Sequence, residues 1–278
     1  MINKKIFKLR SEKNLIIGEK TLVMGILNIT PDSFSDGGKW NAIDSAKKHV
    51  EDMINTGADI IDIGAESTRP NFKAITADEE IARLEPFLKS IVNDCSVPLS
   101  IDTYKSKTAE TAINLGVDII NDISGLQYES EPLKMAKVAA KYNIPVIAMS
   151  NSECIDSIKN DFNKTLNIAD EVELDKNNII FDPGIGFGKT QEENLEILRR
   201  LNELKKIDGV EYPLLLGVSR KSVIGYATNL PVNERDEATG AICVLGIAKG
   251  VDIVRVHNVD MIVKMCKMAD SIIKFKLE

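Results

Sequence analysis

The chain has 278 residues, 44% of them hydrophobic and 28% charged, with a net charge of −7 and a pI of about 5.2. That length suits one large α/β domain or two small ones, the apolar content supplies a large core, and the charged fraction argues against disorder. An acidic surface repels nucleic acid and anionic membrane, so no nucleic acid and no membrane are expected as partners.

The chain opens on KIFKLRSEKNLIIG (5–18), which alternates around a turn-like centre and predicts a β-hairpin closing the amino end of the domain. Short runs rich in Val, Ile and Leu then recur: TLVMGIL (21–27), ADIIDIG (58–64), VPLSID (97–102), VDIINDI (117–123), IPVIAM (144–149), NIIFD (178–182), PLLLGV (213–218) and DIVRV (252–256). Near-continuous apolar runs are what parallel strands need when both faces are covered. Amphipathic stretches separate them, two opening on capping boxes, Thr76–Glu79 and Thr190–Glu193. Asn258 stands where it would cap the last helix, and Gly57, Gly116 and Gly250 stand at helix ends. Eight strands alternating with helices predict an α/β (β/α)8 TIM barrel with an N-terminal β-hairpin, a single domain over residues 1–278.

Cys95, Cys154, Cys243 and Cys266 form no C-x-x-C pair. Free thiols in a reducing cytoplasm are expected rather than a zinc site or disulfides. No apolar run approaches the roughly 20 residues of a membrane span, and the basic N-terminus lacks the apolar stretch of a signal peptide.

Nearly every apolar run ends in polar residues, and in a barrel those ends converge on one face. Asp102, Asn121 and Asp182 can together read the donor-rich edge of an aminopyrimidine-like ring, because a carboxylate accepts two hydrogen bonds side by side. The alternative for each aspartate is a helix cap or a pairing with Lys or Arg. Lys221, Arg255 and His257, with Asn28, can hold a diphosphate; the alternatives are a salt bridge for Arg255 and a core imidazole for His257. His49, within the first predicted helix, reads as structural. The segment Gly184–Thr190 fails the P-loop spacing, although its amides can approach a ligand closely. The polar stretches Thr30–Gly38 and Glu66–Phe72 read as lids.

The segments MGILNITPDSFSDGG (24–38), DIIDIGAESTRP (59–70), SIDTYK (100–105), DIINDISG (118–125), DPGIGFGKT (182–190), LLGVSRKSVIG (215–225) and GVDIVRVHNV (250–259) resemble the dihydropteroate synthase family of bacterial folate biosynthesis, whose members bind pterins. The resemblance implies a transferase that condenses 6-hydroxymethyl-7,8-dihydropterin diphosphate with p-aminobenzoate. Asp102, Asn121, Asp182 and Lys221 would hold the pterin, with Met149 and Phe187 packed nearby. Asn28, Thr68, Arg69, Arg255 and His257 would hold the diphosphate, with Mg²⁺ at Asn28. Phe34, Thr68, Pro70, Lys221 and Ser222 would line the p-aminobenzoate pocket, and Asp32, Phe34, Thr68, Arg69 and Pro70 would close over it. Asp32, Asp102, Lys221 and Arg255 would carry the catalysis, in a homodimer formed through late helices.

Two positions depart from the family pattern. Ser150 stands where a His usually follows the strand-five Met, and Asn71 where Gly usually follows Pro70. The competing readings are a methyltetrahydrofolate:corrinoid methyltransferase-like protein, a paralogue with altered substrate, and a catalytically silent scaffold. The first needs neither the diphosphate group nor the STRP loop, and both are present.

Overall fold

The structure is a computed structural model and describes residues 4–29, 38–66 and 74–273. Strands β1 (Lys5–Lys8) and β2 (Asn14–Ile17) pair antiparallel, with Lys5 opposite Ile17, as the expected hairpin. Eight parallel strands come after it: β3 (Leu22–Asn28), β4 (Ile60–Gly64), β5 (Leu99–Asp102), β6 (Ile119–Asp122), β7 (Val146–Met149), β8 (Ile179–Asp182), β11 (Leu215–Leu216) and β12 (Ile253–Val256). They form one eight-stranded sheet in the order β11-β12-β3-β4-β5-β6-β7-β8. A parallel bridge between Phe181 and Leu214 joins the two ends and closes the barrel. Between β8 and β11 lies a small hairpin, β9 (Lys206–Ile207) and β10 (Val210–Glu211). Its Asp208-Gly209 turn takes φ values of 48° and 84°, a turn for which Asp-Gly is suited; the run-and-helix pattern of the sequence does not anticipate it.

Helices α1 (Gly38–Thr56), α2 (Ala77–Ile91), α3 (Ser106–Leu115), α4 (Lys134–Tyr142), α5 (Ile155–Glu171), α6 (Gln191–Arg199), α7 (Ser222–Thr228), α8 (Asp236–Ala248) and α9 (Val259–Ile273) alternate with these strands. Both expected capping boxes are formed, at Thr76 with Glu79 and at Thr190 with Glu193. Asn258 caps α9 by accepting from the Met261 amide at 3.2 Å. The expected terminal glycines all take the left-handed backbone, Gly57 at φ 110°, Gly116 at 112° and Gly250 at 96°. No helix among the described residues is long and apolar enough to cross a membrane.

The core has two parts, because successive strand residues face opposite ways. Outward residues such as Val23, Ile61, Ile101, Ile120, Phe181 and Val254 pack with the helices. Inward residues Met24, Ile60, Ile119, Ile147, Ile180, Leu215 and Ile253 form a second cluster inside the barrel. Phe7, Leu9, Leu15 and Ile17 of the hairpin join that inner cluster, so the hairpin plugs the amino end of the lumen. Ile17 is fully buried. Ile17→Ala is expected to lower unfolding free energy by about 2–5 kcal/mol, the usual range for truncating a buried aliphatic chain. Denaturant titration reads this, and ligand affinity at the opposite mouth should be unchanged.

Candidate active site

The site follows from the alternation that builds the lumen. Two residues beyond the apolar inner layer, strand by strand, stand Asp62, Asn121, Met149, Asp182, Gly217 and Arg255. On β5 and β3 the same inward register brings Asp102 and Asn28 to the carboxyl ends. A polar layer thus lies directly above an apolar floor.

On one side stand Asp182, Lys221, Met149 and Phe187. Asp182 is almost fully buried and accepts from the Gly184 amide at 2.8 Å. Burial raises its pKa, opposed by the nearby Lys221 charge. Burial lowers Lys221 to about 8 despite Asp182. Its ammonium lies 4.4 Å from the centre of the Phe187 ring and donates to the Ile185 carbonyl. Gly186, at φ 82°, lets the Lys221 chain pass, since a Cβ there would come within 2.9 Å of Lys221 Cδ. Lys221 therefore sits beside Asp182, with the ring-reading group. Ser222, the first residue of α7, is exposed, and its hydroxyl accepts from Gln191 Nε2 at 3.3 Å.

On the other side stand Arg255, Asp102, Asn28 and His257. The salt-bridge alternative describes Arg255 here. Its Nε donates to Asp62 Oδ2 at 2.6 Å and its Nη2 to Asp102 Oδ2 at 2.5 Å. Burial opposes the charge, but Asp62 and Asp102 together raise the pKa, so the guanidinium stays ionised. Burial pushes Asp102 up to about 7 against Arg255, with Asp62 and Glu80 adding to the rise and Lys221 opposing it. His257 Nδ1 lies 2.8 Å from Ser219 Oγ, which also accepts from the His257 amide at 3.1 Å. Gly64 backs these groups: a Cβ there would sit in ordinary contact, 3.5 Å from Asp102 Cβ and 3.7 Å from both Asn28 Oδ1 and Asp102 Oδ2.

Asn121 is buried and donates through Nδ2 to Asp62 Oδ2 at 3.0 Å. Its neighbour Asp122 faces away and organises the following turn, accepting from Ser124 and from the Leu126 amide. The described candidates Asn28, Asp102, Asn121, Met149, Asp182, Phe187, Lys221, Arg255 and His257 thus gather at one mouth, with Ser222 at its rim. Asp32, Phe34, Thr68, Arg69 and Pro70, along with Asn71, lie outside the described residues.

Several contributors escape a reading of the sequence that looks only at where runs end. Asp62 is a charge inside an apolar run, and that interruption is the available signal. Lys189, in the Gly184–Thr190 segment, donates to the carbonyls of Gly184 at 2.9 Å, Phe187 at 3.0 Å and Ser150 at 3.3 Å, so it ties down the turn carrying Phe187. Lys105 pairs with Glu66 and, at 3.2 Å, with buried Glu80. Tyr104 donates to Glu66 at 2.9 Å. Ser150, the departure after β7, donates to Asp161 Oδ2 at 2.8 Å, and Ser152 joins it at 2.7 Å. The pair links this turn to α5.

Among the described residues no cluster of three or more His, Cys, Asp or Glu could hold a metal. Mg²⁺, however, keeps most of its shell from water and substrate phosphates. The Asn28 amide oxygen beside Gly64 is a hard donor that fits an ion brought in with a diphosphate.

The family profile described as pterin binding enzyme matches residues 24–257. The dihydropteroate synthase of Clostridium beijerinckii is 51% identical over 94% of this chain and 98% of its own length. Among solved structures, the Clostridium difficile dihydropteroate synthase in the presence of pteroic acid is 46% identical, with a TM-score of 0.86 over 92% of this chain and 98% of that one. The Xanthomonas albilineans enzyme with 4-aminobenzoic acid is 29% identical, with a TM-score of 0.89 over 99% of this chain and 100% of that one. The chain belongs to the pterin-binding enzymes and, within them, to the dihydropteroate synthase family.

Proposed function

We propose that the protein is a dihydropteroate synthase: it joins 6-hydroxymethyl-7,8-dihydropterin diphosphate to p-aminobenzoate, releasing 7,8-dihydropteroate and diphosphate. The observation that carries this reading is the single mouth at which Asp102, Asn121, Asp182 and Lys221 adjoin Arg255, Asn28 and His257, in a chain half identical to a named synthase.

Asp182 and Asn121 offer the acceptors and donors that an aminopyrimidine edge requires, and Lys221 adds a donor. Met149 and Phe187 supply apolar surface against the ring. Arg255 and His257 stabilise the departing diphosphate. Asn28 would hold Mg²⁺, which supplies charge neutralisation on the diphosphate when bound. The bond between the pterin methylene and the diphosphate oxygen breaks and takes its electron pair with the leaving group. The cationic methylene left behind is conjugated to the ring and lies near Asp102. The neutral aniline nitrogen of p-aminobenzoate then attacks and loses a proton. A neutral aniline is already nucleophilic, so no strong base is required. Asp32, Thr68 and Arg69 would serve the same step, with Phe34, Thr68, Pro70 and Ser222 lining the p-aminobenzoate pocket.

A cytoplasmic homodimer completes the reading. Leu245 on α8 and Met268 and Ile272 on α9 are more than three-fifths exposed, an apolar surface on the late helices that suits a second copy. Light scattering of the purified chain reads this directly. Cys95, Cys154, Cys243 and Cys266 are thiols rather than disulfides, in keeping with a reducing compartment.

Incubation with the pterin diphosphate, p-aminobenzoate and Mg²⁺ should yield dihydropteroate; no product overturns the assignment. Arg255→Ala should weaken pterin diphosphate binding about 30-fold or more, as truncating one member of a buried charge pair does, and weaken the unphosphorylated pterin much less. Equal losses in calorimetry would contradict the anion role. Pterin affinity should fall as pH rises through about 8, where Lys221 loses its proton. Lys189 is also lowered by burial to about 8, so the Lys221→Met variant assigns the effect. That variant should bind weakly and without this alkaline limb; a limb that survives removes Lys221 from the ring contact.

A further inference from the structure

Asp62 lies midway along β4, fully buried in the lumen. One of its oxygens, Oδ2, receives both Arg255 Nε at 2.6 Å and Asn121 Nδ2 at 3.0 Å. The other, Oδ1, is buried without a hydrogen-bond partner among the described residues. Three strands, β4, β6 and β12, therefore meet on a single oxygen atom.

We infer that Asp62 is a positioning residue for the reaction, fixing Arg255 and Asn121 together so that the anion-holding and ring-reading halves of the site keep one relative geometry. The inference rests on the synthase function proposed for this site. Two physical points support it. An ionised carboxylate only accepts hydrogen bonds, so it forces the Asn121 amide to turn its NH₂ toward Asp62 and its oxygen elsewhere. The amide is thereby committed to presenting an acceptor to the ring. A guanidinium is a rigid planar fork, so fixing Nε fixes the plane of all its donors. The Nε and Nη2 groups are held by Asp62 and Asp102, and Nη1 makes neither of these bonds. An asparagine at position 62 could neither balance the Arg255 charge nor prevent the Asn121 amide from flipping.

The test is Asp62→Asn, a nearly isosteric change that removes the charge and adds a donor. Calorimetry with 6-hydroxymethylpterin and, separately, with inorganic diphosphate plus Mg²⁺ reads the two halves without turnover. The expected result is a loss of about tenfold to a hundredfold for both ligands, the range for upsetting a buried charged hydrogen-bond pair. Arg255→Ala should reduce chiefly the diphosphate affinity, and Asn121→Ala chiefly the pterin affinity. Loss of only one ligand, or of neither, in a folded Asp62→Asn protein overturns the proposal. Product formation by the unaltered enzyme is measured alongside. If it binds both ligands but makes no dihydropteroate, the functional reading fails while the positioning test still decides; if it binds neither, both fail. Should Asp62→Asn not fold, the unaltered protein gives the answer by NMR. The Arg255 Nε proton, assigned with Arg255→Lys, should exchange slowly both free and with diphosphate bound. Fast exchange in either state overturns the proposal.

Discussion

The constraint on which this molecule depends is the two-residue alternation of a barrel strand. Each inward residue is followed, two positions on, by another inward residue one layer higher. Ile60 is followed by Asp62, Ile119 by Asn121, Ile180 by Asp182 and Ile253 by Arg255. The same strands that build a dry floor therefore deliver a charged layer immediately above it. A shift of one residue in register would exchange both sets for the outward residues packed under the helices. The stability of the barrel and the composition of its site are consequences of the same alignment.

The charged layer sets the carboxylates of Asp62, Asp102 and Asp182 against Arg255 and Lys221. Arg255 is shared between two carboxylates, Asp62 and Asp102. Burial raises Asp102 and Asp182 and lowers Lys221. The result is a group of side chains whose proton affinities are drawn together, with Asp102 at about 7 and Lys221 at about 8. Interacting groups in such a setting titrate as a set rather than one by one. Buried networks of this kind hold their geometry only while every charge retains its partner.

Much of this was legible in the residues. All eight strand runs, the opening hairpin, both capping boxes and the Asn258 cap lie where hydrophobic period and cap chemistry put them, because those signals are local. The convergence of Asp102, Asn121, Asp182, Lys221 and Arg255 followed from the barrel alone. What sequence could not supply was the pairing among them. That Arg255 reaches across to Asp62, some 193 residues away along the chain, depends on lumen geometry that no window of sequence contains. Asp62 was hidden because it interrupts a run rather than ending it. The division of Asn121 from Asp122 was equally hidden, since adjacent polar residues look alike until one points inward and the other into a turn. Ser150 illustrates a departure absorbed locally, its hydroxyl being taken up by Asp161 on α5.

The hairpin plug has a topological consequence for traffic. With Phe7, Leu9, Leu15 and Ile17 packed beneath Met24, Ile60, Ile119, Ile147, Ile180, Leu215 and Ile253, the lumen is filled from the amino end up to the polar layer, so small molecules reach that layer only from the carboxyl-end mouth. Whatever enters must leave through the mouth by which it came. The barrel therefore has one working face, and its other end is given over to stability.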